Sequence, residues 1–150
     1  MKGPDNIAAA FAVFTEIAII NQLSEAAQRD ALGDILSIAG FGVLNHFVRR
    51  ELESDSPARL ASAFQVTKGA MTYTLQALEE KGFVRIDPDP ADGRAKIVRM
   101  TKKGRAAREA GIARLAPAMR DLFEEIDARD FAAALPFLTR LRKAMDSARD

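Results

Sequence analysis

The basic residues after position 93 are the part of the sequence with the clearest chemical potential. Residues 94–105 contain six cationic side chains and no acidic one: Arg94, Lys96, Arg99, Lys102, Lys103 and Arg105. Residues 121–130 are instead mainly acidic. A basic run of this kind is either a solvated face or a surface that binds phosphate groups. Because the formal net charge of the chain is only +1, nucleic-acid binding would depend on this local segregation of charge.

Two residue types that many catalytic and metal sites need are scarce. The chain has no cysteine and one histidine, His46. A disulfide framework, a thiolate zinc site, an iron–sulfur cluster and thiol-based redox sensing are therefore excluded. The sequence also offers no nucleophile–base pair, paired-carboxylate cleft or phosphate-binding loop. We therefore predict no metal site, no cofactor and no enzymatic activity.

Two short helices precede the basic run. Ser56 and the proline after it form a helix start signal, and a helix is predicted over residues 57–64. After a two-residue turn, Thr67 caps a second helix at about residues 68–81, which Gly82 ends. Its inner face is expected to hold four apolar residues: Val66, Met71, Leu75 and Leu78. Two helices joined by so short a turn form a helix-turn-helix.

A β-hairpin is predicted directly after these helices. Residues 83–87 and 95–100 alternate as strands do, and between them Asp92 and Gly93 form a turn dipeptide. Arg94 would lie at the hairpin tip. The sequence therefore predicts a mainly α fold: a winged helix-turn-helix with a two-stranded β-wing.

Long apolar helices are predicted on both sides of this unit. Two of them cover about residues 6–28 and 32–51, before the paired helices. Two more follow Thr101, with kinks at Pro117 and Pro136 and a connection between them at residues 127–130. Their apolar stripes are too extensive for one small lobe to cover, which favours a two-fold homodimer. We expect a single domain, 1–150, with dimerisation helices at about 1–31 and 105–150 and a DNA-binding lobe at about 32–104.

The longest apolar stretch, Ile7 to Ile20, is shorter than the roughly 20 residues that cross a bilayer, and Glu16 interrupts it. No signal-peptide pattern accompanies it. No membrane association and a cytoplasmic location are expected.

Three stretches in this order resemble the MarR family of bacterial transcriptional regulators. The family's paired helices are similar to the stretch SPARLASAFQVTKGAMTYTLQALEEKGFV. Its wing, with an Asp-x-Arg signature, is similar to DPDPADGRAKIVRMT, and the start of its long dimer helix is similar to TKKGRA. Two positions depart from the family pattern, Gln65 where many members carry glycine and Tyr73 where many carry arginine or another polar residue. The resemblance implies a homodimer on a (pseudo)palindromic operator in double-stranded DNA, released by a small aromatic or acidic effector.

The second helix of the pair is expected to enter a major groove. Its outward residues would contact DNA: Lys68, Gly69, Thr72, Tyr73 and Gln76. Ser56 and Thr67 begin helices whose free N–H groups attract phosphate. Arg94 would reach a minor groove, with Asp92 holding its guanidinium group in place. Lys96 and Lys102, together with Arg99 and Lys103, would add attraction to phosphates.

Five residues are candidates for lining an effector pocket: Phe11, Phe14, Phe41, His46 and Phe47. Phenylalanines at helical spacing more often belong to a core, so this set competes with a purely packing role. A further alternative for the whole chain is a winged-helix protein–protein adaptor that does not bind DNA. The arginine at the wing tip beside a lysine-rich stretch favours DNA binding.

Overall fold

The computed structural model describes residues 4–149, and within them the chain forms helices and one two-stranded antiparallel sheet. The elements are α1 (Pro4–Leu32), α2 (Ile38–Arg49), α3 (Pro57–Phe64), α4 (Lys68–Glu80), β1 (Val84–Pro88), β2 (Lys96–Met100), α5 (Lys102–Glu125) and α6 (Ala128–Ser147). The predicted winged helix-turn-helix with flanking long helices is confirmed. By its internal contacts the chain divides into two units, after Leu115.

The core of the first unit draws on every one of its elements. Leu32 from α1, Phe47 from α2, Leu60 from α3, Leu75 from α4 and Val98 from β2 are all buried. Burial of side chains this large supplies the main favourable term in folding. The paired helices and the wing are therefore held by one shared cluster of apolar side chains.

The turn between α3 and α4 keeps a left-handed residue although its sequence lacks a glycine there. Gln65 ends α3 in the left-handed conformation, with φ 53° and ψ 42°, a conformation that glycine adopts at lower cost. Val66 follows it and is 43% exposed. The prediction that Val66 lies on the inner face is wrong, because the residue precedes the helix cap and stands in the turn. Thr67 then begins α4 by accepting a hydrogen bond from the N–H of Ala70 (3.1 Å).

Three predicted boundaries need correction. α1 continues to Leu32, and α2 begins at Ile38 rather than near Leu32. Between them Gly33 has a positive φ of 56°, and the hydroxyl of Ser37 caps α2 by accepting from the N–H of Gly40 (3.0 Å). The expected connection at 127–130 is shorter, because Asp127 caps α6 by accepting from the N–H of Arg129 (2.8 Å). Helices α5 and α6 continue through their prolines.

The Asp127 cap also has an electrostatic effect. Hydrogen bonds from the side chain and backbone of Arg129 lower the pKa of the Asp127 carboxyl below its ordinary value. The carboxylate is thus stabilised in its charged form at the N-terminus of α6, where negative charge is favoured.

The wing is a short hairpin attached to its surroundings on both edges. β1 and β2 pair antiparallel, with Ile86 opposite Val98. On the other edge of β2, Val98 exchanges two backbone hydrogen bonds with Asp55, at 2.8 and 3.0 Å. Asp55 immediately precedes the N-cap of α3. The start of α3 is therefore fixed directly to the wing.

Helix α1 is apolar over much of its exposed surface. Within the described residues it is the one stretch, Asn6–Leu32, that is long and apolar enough to cross a membrane by length and composition, with a mean hydropathy of 1.6. The predicted limit of the apolar stretch at Ile20 was therefore too short. Its exposed large side chains are Ile7, Phe11, Phe14, Ile19, Ile20 and Leu23.

The residues of the second unit are even more exposed to solvent than those of α1. Among residues 116–149 none is buried. Its exposed large apolar side chains include Met119, Leu122, Phe123, Phe131, Leu135, Phe137, Leu138 and Met145. The rings of Phe123 and Phe131 contact each other edge to face, with centroids 5.7 Å apart. Such a concentration of apolar surface is typical of a protein interface.

Gly104 provides a test of the packing where the wing ends. A Cβ added at this position would collide with the backbone carbonyl of Phe83. We expect Gly104→Ala to lower the free energy of unfolding by about 3 kcal/mol, at the upper end of the usual overpacking range, because backbone must move. Urea unfolding of the full chain measures this.

Gly93→Ala is the matched control for this substitution. A Cβ at Gly93 meets no atom within 4 Å, so the free energy of unfolding should stay within about 0.5 kcal/mol of the parent. Equal stability of the two variants would contradict the close contact at Gly104.

Candidate nucleic-acid interface

A groove of about 660 Å³ lies between α4, the start of α3 and the wing. Six of the predicted DNA-contacting residues line it: Ser56, Lys68, Thr72, Gln76, Arg94 and Lys96. These residues come from three separate segments of the sequence. The fold therefore brings together most of the set that the sequence had suggested from local patterns.

Helix α4 divides its residues between core and surface. Met71, Leu75 and Leu78 are buried on its inner side, as expected from their spacing. The remaining predicted contacts on and before this helix are exposed: Thr67, Lys68, Gly69, Thr72, Tyr73 and Gln76. Tyr73 is 78% exposed. An α-helix presenting such a polar face has dimensions that fit a DNA major groove.

The first turns of both helices carry exposed N–H groups beside the groove. The hydroxyl of Ser56 accepts from the N–H of Arg59 (3.2 Å), and that of Thr67 accepts from the N–H of Ala70 (3.1 Å). Each cap satisfies one donor of its helix, and a helix start leaves more than one without an intrahelical partner. The positive end of the helix dipole adds to this attraction for an anion.

The wing tip differs in one respect from expectation. The carboxylate of Asp92 accepts a hydrogen bond from the backbone N–H of Arg94 (3.0 Å). It makes no ion pair with the Arg94 guanidinium group in this structure, so support of that group on DNA stays a prediction. A short acidic side chain two residues before an N–H readily closes a local turn. Asp92 therefore shapes the backbone of the tip, and the Arg94 side chain extends from it, exposed.

Two acidic residues also line the groove, a feature that sequence patterns did not indicate. The carboxylate of Glu79 accepts from the N–H of Ile86 (2.9 Å), and that of Asp87 is paired with Arg85 (2.7 Å). Both acids are thus occupied by donors of the protein itself. The guanidinium group of Arg85 offsets the charge of Asp87 toward a polyanion, whereas the bond to Ile86 fixes the Glu79 carboxylate against the wing.

The two lysines at the start of α5 have different surroundings. Lys102 is exposed. The ammonium group of Lys103 lies 5.7 Å from the ring centroid of Phe83, a distance suited to a cation–π interaction. Lys102 is therefore the freer of the two for a phosphate contact.

The five candidate effector residues occupy unlike environments. Phe47 is 1% exposed and belongs to the core, whereas Phe11 is 75% exposed. Phe14 is exposed as well, and Phe41 is half-buried. The effector pocket stays a prediction.

His46 is a half-buried residue of α2 that faces the last residue of α3 and the residue before the α3 cap. Its ring meets that of Phe64 edge to face, with centroids 5.4 Å apart, and its Nε2 is 4.0 Å from a carboxylate oxygen of Asp55. Burial, followed by the charge of Arg49, lowers the pKa of His46 below its ordinary value although Asp55 acts in the opposite direction. The side chain is therefore neutral near pH 7. In the described part of the chain no group of three or more acidic or histidine side chains is placed to hold a metal ion.

Comparison with known proteins agrees with this architecture. Residues 36–95 match the model of the MarR family, a range that includes the helix-turn-helix and most of the wing. No curated protein sequence matches the chain.

Solved structures match over most of the chain. MarR from E. coli in its apo form is 26% identical with a TM-score of 0.70, over 85% of this chain and 94% of that chain. The transcriptional regulator BldR from Sulfolobus solfataricus is 26% identical with a TM-score of 0.76, over 98% and 99%. A mutant MarR from E. coli complexed with operator DNA is 24% identical with a TM-score of 0.70, over 89% and 95%.

The family match covers the helix-turn-helix, the first strand of the wing and its tip, and the solved structures are similar to this chain over most of its length. The chain is thus similar to the MarR family in its central region and to solved transcriptional regulators in its overall fold.

Proposed function

We propose that the chain is a sequence-specific, double-stranded DNA-binding regulator of transcription that works as a homodimer on a (pseudo)palindromic operator. The observation that carries this proposal is the convergence of Lys68, Thr72, Gln76 and Arg94 on one groove. DNA binding requires cations that neutralise phosphates and polar side chains that read base edges. The groove supplies both kinds of group from rigid elements of the fold.

Each contact has a role that follows from its chemistry. Gln76 can pair with adenine through two hydrogen bonds, and Thr72 can contact a thymine methyl group or bond a base. Arg94 at the wing tip suits the negative potential of a narrow minor groove. Lys68, Lys96 and Lys102 bind phosphates or, for Lys68, a guanine. Ser56 and Thr67 place helix N-termini against phosphates, and Gly69 and Tyr73 complete the surface of α4.

The dimer is proposed from the exposed apolar surface of each unit taken by itself. A soluble monomer rarely leaves so many large apolar side chains in water as α1 and residues 116–149 do. A second copy related by two-fold symmetry can cover each of these surfaces. We propose the helices of residues 1–31 and 105–150 for this role and residues 32–104 as the DNA-binding lobe.

Release of the DNA by a small aromatic or acidic molecule completes the proposed regulator. Half-buried Phe41 and His46, which lie outside the α4 face, are the members of the predicted pocket that combine partial burial with access. A regulator of this kind would act in the cytoplasm, where it reaches the chromosome. No enzymatic step is proposed.

Selection of DNA fragments by the purified full chain tests the function. We expect enrichment of an inverted repeat whose half-sites lie about one helical turn apart, roughly 34 Å, because a two-fold dimer presents two copies of α4. A single asymmetric half-site would contradict this geometry. Absence of any salt-dependent DNA binding would favour the protein–protein adaptor instead.

Arg94→Ala should weaken binding to the selected site by about 1–3 kcal/mol, the scale of a good base contact. The melting temperature should hardly change, because the wing-tip side chain is exposed. Fluorescence anisotropy titrations at several salt concentrations measure the loss. Arg50→Ala, which removes the same charge from an exposed residue outside the groove, is the control. Unchanged affinity for Arg94→Ala would remove the wing from the DNA interface.

Two further kinds of variant separate base contacts from phosphate contacts. Gln76→Ala and Thr72→Ala should change which bases are preferred in a repeated selection, because their side chains face base edges. Lys102→Ala should lower affinity for all sequences alike and reduce the salt slope by about 1. A change of base preference with Lys102→Ala, or none with the other two, would show that α4 is not docked as proposed.

The dimer can be tested by charging its apolar surface. Phe11→Glu on α1 and Leu135→Glu on α6 should each shift the protein from dimer to monomer in sedimentation at micromolar concentration, because burying an unpaired carboxylate is costly. Both side chains are exposed, so the far-UV circular dichroism should be retained. A parent chain that is monomeric would contradict the dimer. A parent chain that sediments with lipid vesicles would instead favour a membrane-bound α1.

A further inference from the structure

Lys81 makes an unusual contact at the C-terminal end of α4. It is the C-cap residue of this helix. Its ammonium group donates hydrogen bonds to two backbone carbonyls, those of Asp34 and Ile35, both at 2.8 Å. These carbonyls belong to the loop of residues 33–37 that joins α1 to α2. A lysine on a DNA-binding helix is thus directed away from the proposed DNA surface.

The loop that accepts these bonds is held at both ends. Leu32 before it and Leu36 within it are buried in the core. Gly33 turns the chain with a φ of 56°, and its N–H donates to the carbonyl of Arg29 (3.1 Å). The two carbonyls therefore occupy defined positions relative to the end of α1.

The other attachments of α4 do not fix its direction in the same way. Leu78 packs at Gly40 of α2, where an added Cβ would lie 3.1 Å from the leucine Cδ2. Apolar packing is non-directional. The carboxylate of Glu79 accepts from Ile86 of the wing and so links α4 to the wing only. Charge-assisted hydrogen bonds are directional and short, and those of Lys81 are the ones that link α4 to the end of α1.

We propose that Lys81 is a positioning residue that sets the angle of α4 relative to α1 and thereby selects the spacing between the two half-sites of an operator. The inference rests on the proposed function, since it requires a dimer that binds DNA. It assigns to Lys81 no contact with DNA. The residue acts through the α4 side chains that read the bases.

The geometry of a helix makes this control effective. A helix of 13 residues, as α4 is, is about 20 Å long. A tilt of about 10° around its C-terminal end moves its N-terminal end by about 3.5 Å, which is close to the rise of one nucleotide along a DNA strand. Two-fold symmetry applies the same displacement in the partner, so a tilt of about 10° changes the half-site spacing by up to about 7 Å, which is about two base pairs. A tilt of about 5° corresponds to about one base pair.

The test compares operators that differ only in half-site spacing. The inverted repeat selected by the parent protein is remade with one or two base pairs added or removed between the half-sites. Affinities are measured for the parent, Lys81→Gln, Lys81→Met and Lys81→Arg as full chains. Lys102→Gln serves as a matched control that removes the same charge at the proposed phosphate contact.

The parent should prefer one spacing. In Lys81→Gln and Lys81→Met the ratio of affinities between the best and the neighbouring spacing should fall by about tenfold, the scale of one hydrogen bond to a charged group. Their salt slopes and dimerisation should remain those of the parent. Lys81→Arg, which keeps a cationic donor, should restore most of the preference. Lys102→Gln should reduce affinity equally at every spacing and flatten the salt slope.

Other results would overturn the inference. Behaviour of Lys81→Gln like that of Lys102→Gln would make Lys81 a phosphate contact. An unchanged spacing profile in both neutral variants would leave it no positioning role, and loss of the folded state in both would make it a stability residue. In each of these cases the parent still binds its inverted repeat. Failure of the parent to bind any repeat would instead reject the proposed function, and this inference with it.

Discussion

The contacts around Thr101 are the constraint on which the DNA-binding surface depends. Its hydroxyl donates to the carbonyl of Gly82 (2.6 Å) and accepts from the N–H of Gly104 (3.0 Å), while its N–H donates to the carbonyl of Phe83 (3.0 Å). The end of α4, both ends of the wing and the start of α5 therefore meet at one point. Gly104 permits this because a side chain there would collide with Phe83. This junction ties the C-terminal end of α4 and both ends of the wing to the start of α5.

A chain of nearly neutral charge can still present a surface for a polyanion, because the acidic side chains that line the groove are bonded to donors of the protein. Glu79 and Asp87 line the groove, yet each carboxylate is bonded to a donor of the protein. The cations of the groove are Lys68 of α4 and Arg94 and Lys96 of the wing, and all three stay exposed. Net charge alone would have given no indication of this arrangement, since the effect depends on which charges have partners.

Local signals in the sequence were sufficient for the helix-turn-helix and insufficient for contacts between distant residues. The bounds of α3 and the glycine after α4 follow from short-range rules of capping and backbone sterics. The left-handed end of α3 at Gln65 does not follow from these rules, because a non-glycine residue adopts that conformation at a cost. The start of α2 could not be read in this way, because apolar spacing continues through the turn at Gly33. The partners of Asp92 and Glu79 and the position of Phe47 in the core depend on tertiary packing, which no local pattern reports.

The side chains of α4 divide four tasks among themselves by helical position. Leu75 and Leu78 face the core, Thr72 and Gln76 face outward into the groove, Glu79 bonds the wing and Lys81 bonds the loop after α1. Because outward residues bury little surface, replacing them costs little folding free energy. The proposed base preference is thus separable from stability on the outward face of the helix. The inward face and the C-terminal end are constrained, since their residues hold the helix in place.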